Sequence, residues 1–206
     1  MRVLHIAAGN LFGGVETYLL TLARLRHLCP DMQPHFGICF PGRLRDELIA
    51  AGVTVHDLGG VRLSRPWTVL RARGRLKRVI YDDRIEAVIT HGCWPHAVFA
   101  PAIRGAGERL VNAVHDALSS GHRINRWASR TPPDVVIANS RYTAATAERV
   151  FPGVAVEVCY LPVSAEEIED PELVRHQVRA ELNTPQDSVV LLQASRLEQW
   201  KRLEFH

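Results

Sequence analysis

The stretch Val3-Leu4-His5-Ile6-Ala7-Ala8-Gly9-Asn10-Leu11-Phe12-Gly13-Gly14-Val15-Glu16 decides how the chain is read. Its first six residues are apolar but for His5, the habit of a parallel strand covered on both faces. A glycine loop follows. Then Val15, Leu19, Leu22 and Ala23 fall on one face of a helix. Strand, glycine turn and amphipathic helix in that order open a βαβ unit.

The alternation continues outward. Apolar runs recur at His35 to Phe40, Val53 to Leu58, Ala87 to Thr90, Leu110 to His115, Val135 to Ala138 and Val154 to Tyr160. A second helical face carries Val69, Ala72, Leu76, Val79 and Ile80. The pattern predicts an α/β fold, a Rossmann-like open parallel sheet with helices on both faces. Such sheets bind ligands outside the carboxyl ends of their strands. The informative loops are therefore Gly9 to Glu16, His91-Gly92-Cys93-Trp94-Pro95-His96, His115-Asp116 and Asn139-Ser140-Arg141-Tyr142.

Composition bounds the function. The chain has 206 residues, 47% hydrophobic and 23% charged, which excludes a disordered or collagen-like chain. A net charge of +3 is too mild to imply nucleic-acid binding. Cys29, Cys39, Cys93 and Cys159 lie far apart with no CxxC spacing, and read as buried thiols in a reducing compartment. The N-terminus lacks the apolar core of a signal peptide, and no run approaches the roughly 20 apolar residues of a membrane helix. A cytoplasmic protein is expected.

The character changes near Leu161-Pro162-Val163-Ser164. Residues 1–163 are expected to form a first domain and 164–206 the truncated start of a second. In that second part, Asp170 before Pro171 is a good helix start. A strand is expected from Ser188 to Gln193, with a helix beginning before His206.

Several constellations could carry chemistry. Gly13 and Gly14 let a ligand approach the backbone where a helix begins, and such a terminus favours an anion. The loop matches neither G-x-G-x-x-G nor a Walker A loop. His91, Cys93 and His96 form H-x-C-x2-H but lack a fourth ligand nearby, so no metal site is expected. No Gly-x-Ser-x-Gly elbow occurs, which argues against a serine hydrolase. Arg71, Arg73, Arg75, Lys77 and Arg78 read as a solvated helix face, or as a peripheral contact with anionic lipid at the inner membrane face.

Four features in order resemble retaining glycosyltransferases of the GT-B fold, family 4. They are Gly13-Gly14-Val15-Glu16 after the first strand, Val111 to Asp116 with His115 at a strand end, Ile137 to Tyr142 before a helix, and Ser195-Arg196-Leu197-Glu198-Gln199-Trp200-Lys201. The resemblance covers essentially the whole chain. It implies two Rossmann-like domains with the active site in the cleft between them, acceptor on the first and nucleotide-sugar donor on the second. It places Gly13, Gly14, Arg196 and Lys201 at the donor diphosphate, and His115 beside the transferred sugar as the catalytic position. Fixed cations and N–H dipoles there would speed departure of a leaving group that gains charge. Glu16, His91, His96 and Asp116 are candidates for the acceptor side of the cleft. The donor is a substrate, and neither a cofactor nor a metal is expected. The acceptor would be a glycan, a lipid-linked or a small hydroxyl compound, with anomeric configuration retained.

The sequence also departs from the family. Leu161-Pro162-Val163-Ser164 replaces Asn-Gly-Val-Asp, Ser195 stands for the Gly before Arg, and Arg202 for the Gly after Lys. The Glu-x7-Glu motif is absent, so this chain alone is expected to be inactive. Two alternatives stay open: a non-catalytic binding module, and a nucleotide-sugar epimerase of the same architecture.

Overall fold

The computed structural model describes residues 1–162 and 168–193. Two compact units divide the chain, Met1–Val163 and Ser164–His206. In the first, β1 (Arg2–Ala7), β2 (Gln33–Ile38), β3 (Thr54–Asp57), β4 (Ala87–His91), β5 (Arg109–Val114), β6 (Val135–Ala138) and β7 (Ala155–Val158) form one sheet. Its order is β3-β2-β1-β4-β5-β6-β7, and every neighbouring pair is parallel. Six helices alternate with the strands: α1 (Gly14–Arg24), α2 (Arg43–Ala50), α3 (Pro66–Asp82), α4 (Cys93–Arg104), α5 (Arg123–Ala128) and α6 (Arg141–Val150). This is the Rossmann-like sheet the alternation predicts. Strand order reverses between β1 and β4, which opens a crevice at their carboxyl ends.

Both faces of the sheet are covered. On one, Leu4, Ile6, Val88 and Leu110 pack with Val69, Ala72, Leu76 and Ile80 of α3 and with Val98, Phe99 and Ile103 of α4. On the other, Ala7, Phe36 and Ile38 pack with Leu19, Leu20 and Ala23 of α1 and with Leu44 and Leu48 of α2. Each large aliphatic side chain so buried contributes about 1.5–3 kcal/mol. A further cluster joins Val114, Val136 and Ala138 to Ala144, Ala147 and Val150 of α6.

The basic cluster of α3 is divided by this packing. Its apolar stripe faces the core, and Arg73 is half-buried with Nε donating to the Val98 carbonyl at 2.6 Å. Arg75 faces Asp57 at 4.0 Å, while Arg71, Lys77 and Arg78 are exposed. Among the described residues no helix is long and apolar enough to cross a membrane.

Two expectations are corrected. Only Cys39 and Cys93 are buried; Cys29 and Cys159 are exposed. Cys29 ends a short 3-10 turn after α1, and Cys159 follows the edge strand β7, and neither joins a core cluster. The second unit forms α7 (Pro171–Glu181), where Asp170 accepts a cap hydrogen bond from the Leu173 N–H at 3.1 Å. The expected strand from Ser188 to Gln193 does not form, and Val189 and Leu191 are 88% and 94% exposed. A strand needs a neighbour for its backbone hydrogen bonds, and no described strand pairs with this run. The helix expected after it, with Arg196 and Lys201, lies outside the described residues.

Candidate functional site

Three histidines cross the sheet diagonally towards the crevice. His5 on β1 pairs in register with Ile89, yet its Nδ1 lies 3.0 Å from Nε2 of His91, two residues further along β4. His91 pairs with Ala113, and its Nδ1 lies 3.0 Å from Nε2 of His115, again two residues further, just beyond β5. The diagonal neighbour is within reach of a ring side chain on a twisted sheet. The rings stack at 5.3 Å between centroids in both pairs. Tyr18 of α1 covers the ladder, its ring 5.9 Å from His91 and 5.8 Å from His115.

Burial holds the ladder neutral. It lowers the pKa of His5 to about 4. Burial first, and then charge on His5 or His115, holds His91 well below the ordinary range. His115 is lowered too by burial, against an opposing pull from the Asp116 carboxylate. Each neutral ring carries one hydrogen, and each N···N contact needs one. Two arrangements satisfy both contacts. Either all hydrogens sit on Nδ1, so that His115 offers an Nδ1–H donor, or all sit on Nε2, so that His5 buries an Nε2–H. Nε2 of His5 and Nδ1 of His115 are the two buried ring nitrogens of the ladder without a partner among the described residues. Either arrangement leaves one ring N–H without a partner, but at His5 it lies against Phe36 in the core, at a cost of about 1–3 kcal/mol, whereas at His115 it belongs to a residue that borders two hollows where a water or a ligand can accept it. The ladder therefore favours a donor at His115 Nδ1.

His115 stands between two hollows. One, of about 280 Å³, is mostly apolar and runs beneath α1 past Leu22, Met32, Ile137 and Tyr160. The other, of about 450 Å³, lies over the carboxyl ends of β4 and β5 and is bordered by His91, Trp94, Asp116, Ser119 and His122. Asn139 joins the first. Its Nδ2 donates to the His115 carbonyl at 2.8 Å, and its Oδ1 is buried without a partner among the described residues. Two unsatisfied polar atoms, His115 Nδ1 and Asn139 Oδ1, thus belong to residues lining one cavity.

Glycines shape the crevice. Gly9 has φ +86°, and a Cβ there would meet Ile38 Cγ2 at 2.5 Å, so the chain can leave β1 only through glycine. Gly92, with φ +89°, starts α4 directly after His91 and faces open space. In the Gly13–Gly14 loop, the Gly13 N–H donates to Glu16 Oε2 at 2.9 Å. Glu16 therefore caps α1 and occupies an N–H that an anion would use. Among the described residues no atom lies within 4 Å of a Cβ placed on Gly14.

The expected site residues are brought together only in part. His91 and His115 meet, Asp116 is exposed beside them, and Gly13, Gly14 and Glu16 form the loop at the head of α1. His96 is corrected: it is 0% exposed, inside α4 rather than in a loop. Its Nδ1 meets Thr90 Oγ1 at 2.9 Å and its Nε2 meets the Thr131 carbonyl at 2.8 Å. Burial lowers its pKa to about 4. It is a core histidine, and the H-x-C-x2-H spacing does not converge. His5 enters the site without having been singled out, and Asn139, marked in the sequence only as the start of an informative loop, joins it. Nothing but the strand register could have placed His5 beside His91.

A doubly wound parallel sheet with polar groups at its strand ends is the Rossmann-like architecture that the domains of GT-B glycosyltransferases share with many other enzymes. The chain belongs to Glycosyltransferase Family 4, whose family model matches residues 12–167. No curated protein matches by sequence. Among solved structures, that of Anabaena Alr3699/HepE in complex with UDP is similar at 20% identity and TM-score 0.78, over 99% of this chain and 56% of that one. A glycosyltransferase from Rickettsia africae ESF-5 is similar at 15% identity and TM-score 0.73, over 97% of this chain and 54% of that one. MurG of Acinetobacter baumannii is similar at 19% identity and TM-score 0.58, over 83% and 47%. The chain spans about half the length of these proteins.

Proposed function

We propose that Met1–Val163 is the acceptor-side half of a retaining glycosyltransferase that moves a hexosyl group from a nucleoside diphosphate sugar to a hydroxyl acceptor. The observation that carries this reading is the pair of partnerless polar atoms, His115 Nδ1 and Asn139 Oδ1, at the carboxyl end of the sheet. A sugar offers hydroxyls that both donate and accept, and would satisfy both atoms. His115 Nδ1–H then orients the transferred sugar, and His91 holds that hydrogen in place. The complexes of Anabaena Alr3699/HepE with UDP and with UDP-glucose support a nucleotide sugar as donor.

Residues 164–206 begin the donor-binding half in this reading. Arg196 and Lys201 neutralise the diphosphate as the glycosidic bond to it breaks, and the Gly14 backbone faces the same group. Glu16 yields the Gly13 N–H when the donor binds. The transfer uses no metal, because these cations take the charge a metal would.

The test is product analysis with the full-length protein. A panel of nucleotide sugars is incubated with hydroxyl acceptors and a chelator. Acceptor-dependent release of nucleoside diphosphate, with NMR showing the donor's anomeric configuration in the product, is the expected result. A changed sugar formed without acceptor would instead assign an epimerase. Absence of any turnover would leave a binding module.

A further inference from the structure

The same diagonal stagger recurs at the other side of the sheet, with a different outcome. His35 on β2 pairs in register with Thr54, yet its Nδ1 faces Nε2 of His56, two residues further along β3, at 3.2 Å. The rings are parallel within 3°. Asp83, directly after α3, brings Oδ2 to 3.9 Å from His56 Nε2. One ligand-type atom from each of His35, His56 and Asp83 lies within 4.8 Å of the others, the one such group of three among the described residues.

A single ring hydrogen satisfies the His35–His56 contact, and Asp83, partly exposed and 3.9 Å away, takes no hydrogen bond from either ring. If His56 carries its hydrogen on Nε2, that hydrogen serves His35, and Asp83 goes without. If His35 carries its hydrogen on Nδ1, His56 turns a lone pair towards the Asp83 carboxylate. The far nitrogen of His35 is buried without a partner in every case and does not separate the arrangements. A divalent cation accepts all three lone pairs at once.

We propose that His35, His56 and Asp83 bind a transition-metal dication, zinc above all, as a site that clasps the outer strands to the end of α3. Two nitrogens each at the usual zinc distance and a tetrahedral angle apart are separated by about 3.3 Å. The observed 3.2 Å already meets that spacing. Asp83, whose side chain is 34% exposed, closes the remaining gap by rotation. Water takes the fourth position. Two imidazoles and one carboxylate suit zinc better than calcium or magnesium, which prefer oxygen. Burial lowers the pKa of both histidines, which keeps them in the neutral form that coordinates. Arg2, whose Nη1 donates to the Asp83 carbonyl at 2.7 Å, adds to that effect on His35 and restrains affinity for a dication. None of the three ligands belongs to the site around His115, so the metal takes no part in transfer.

The test is zinc titration of the metal-stripped full chain by calorimetry, with thermal melting alongside. One equivalent should bind and raise Tm. His56→Gln and Asp83→Asn should each weaken binding at least about tenfold, while His27→Gln, at an exposed ring outside both sites, should leave it unchanged. Circular dichroism of the metal-free variants checks that they remain folded, and Asp83→Asn keeps the shape of the side chain. No binding by the native chain, or equal binding by the His56 and Asp83 variants, overturns the proposal.

Discussion

Nδ1 of His91 lies 3.0 Å from Nε2 of His115, and this contact joins a fully buried ring to one at the rim of the crevice. His91 in turn touches His5, so the hydrogen that His115 presents depends on a residue deep in β1. His91→Leu removes the middle of the ladder and strands a nitrogen on each side. It should destabilise the first unit by about 1–3 kcal/mol in urea unfolding. Nitrogen-15 spectra of the histidine rings provide the sharper reading: His115 carries its hydrogen on Nδ1 in the native protein and loses that preference in the variant.

Acid should unfold the protein through its buried histidines. His5 and His96 each titrate near 4 when folded, against 6.5 for the exposed side chain. Between those values the unfolded chain binds more protons, so stability rises with pH across that window. The stability is fully present above pH about 6.5 and is lost as pH falls towards 4, by roughly 2–4 kcal/mol per histidine. Urea midpoints measured across this range check the slope. A flat profile would show that the rings are hydrated.

Gly92 and Gly14 should respond oppositely to alanine. Gly92 has φ +89° and ψ 171°, a region open essentially to glycine alone, although nothing crowds it. Gly92→Ala should cost about 1–3 kcal/mol from backbone strain. Gly14 opens α1 with free space around it, so Gly14→Ala should be neutral or stabilising by up to about 1 kcal/mol. Paired denaturation curves make the comparison.

Gly14→Val addresses the donor rather than the fold. A Cβ at Gly14 meets no described atom within 4 Å, so the side chain starts out into free space. Nucleotide-sugar binding by the full-length protein should weaken if that space is where the diphosphate lies, with Tm little changed. Unaltered binding would reduce the loop to a turn.

The fold was legible because burial on both faces imposes near-continuous apolar runs, which periodicity exposes. All seven strands of the sheet fall within the apolar runs or within a residue or two of them. Pairing was not legible. The meeting of His5, His91 and His115 depends on register across three strands, and His5 looks in sequence like an interruption of an apolar run. His96 shows the opposite failure. Its spacing after β4 suggested a loop, but Gly92 starts α4 at once, and Pro95 is tolerated because it lies in the first turn. The turn of helix then carries His96 into the core. The run from Ser188 to Gln193 has strand composition without a partner, and composition alone does not supply the missing hydrogen bonds.

The most direct test of the account is turnover of the full-length protein, native and His115→Ala, at saturating nucleotide sugar. The diphosphate contacts lie on other residues, so donor binding should persist in the variant. Its kcat should fall about 100-fold, as expected when the reacting sugar loses its positioning group. A variant that transfers sugar at the native rate would contradict the assignment of His115, and with it the site at the end of the ladder.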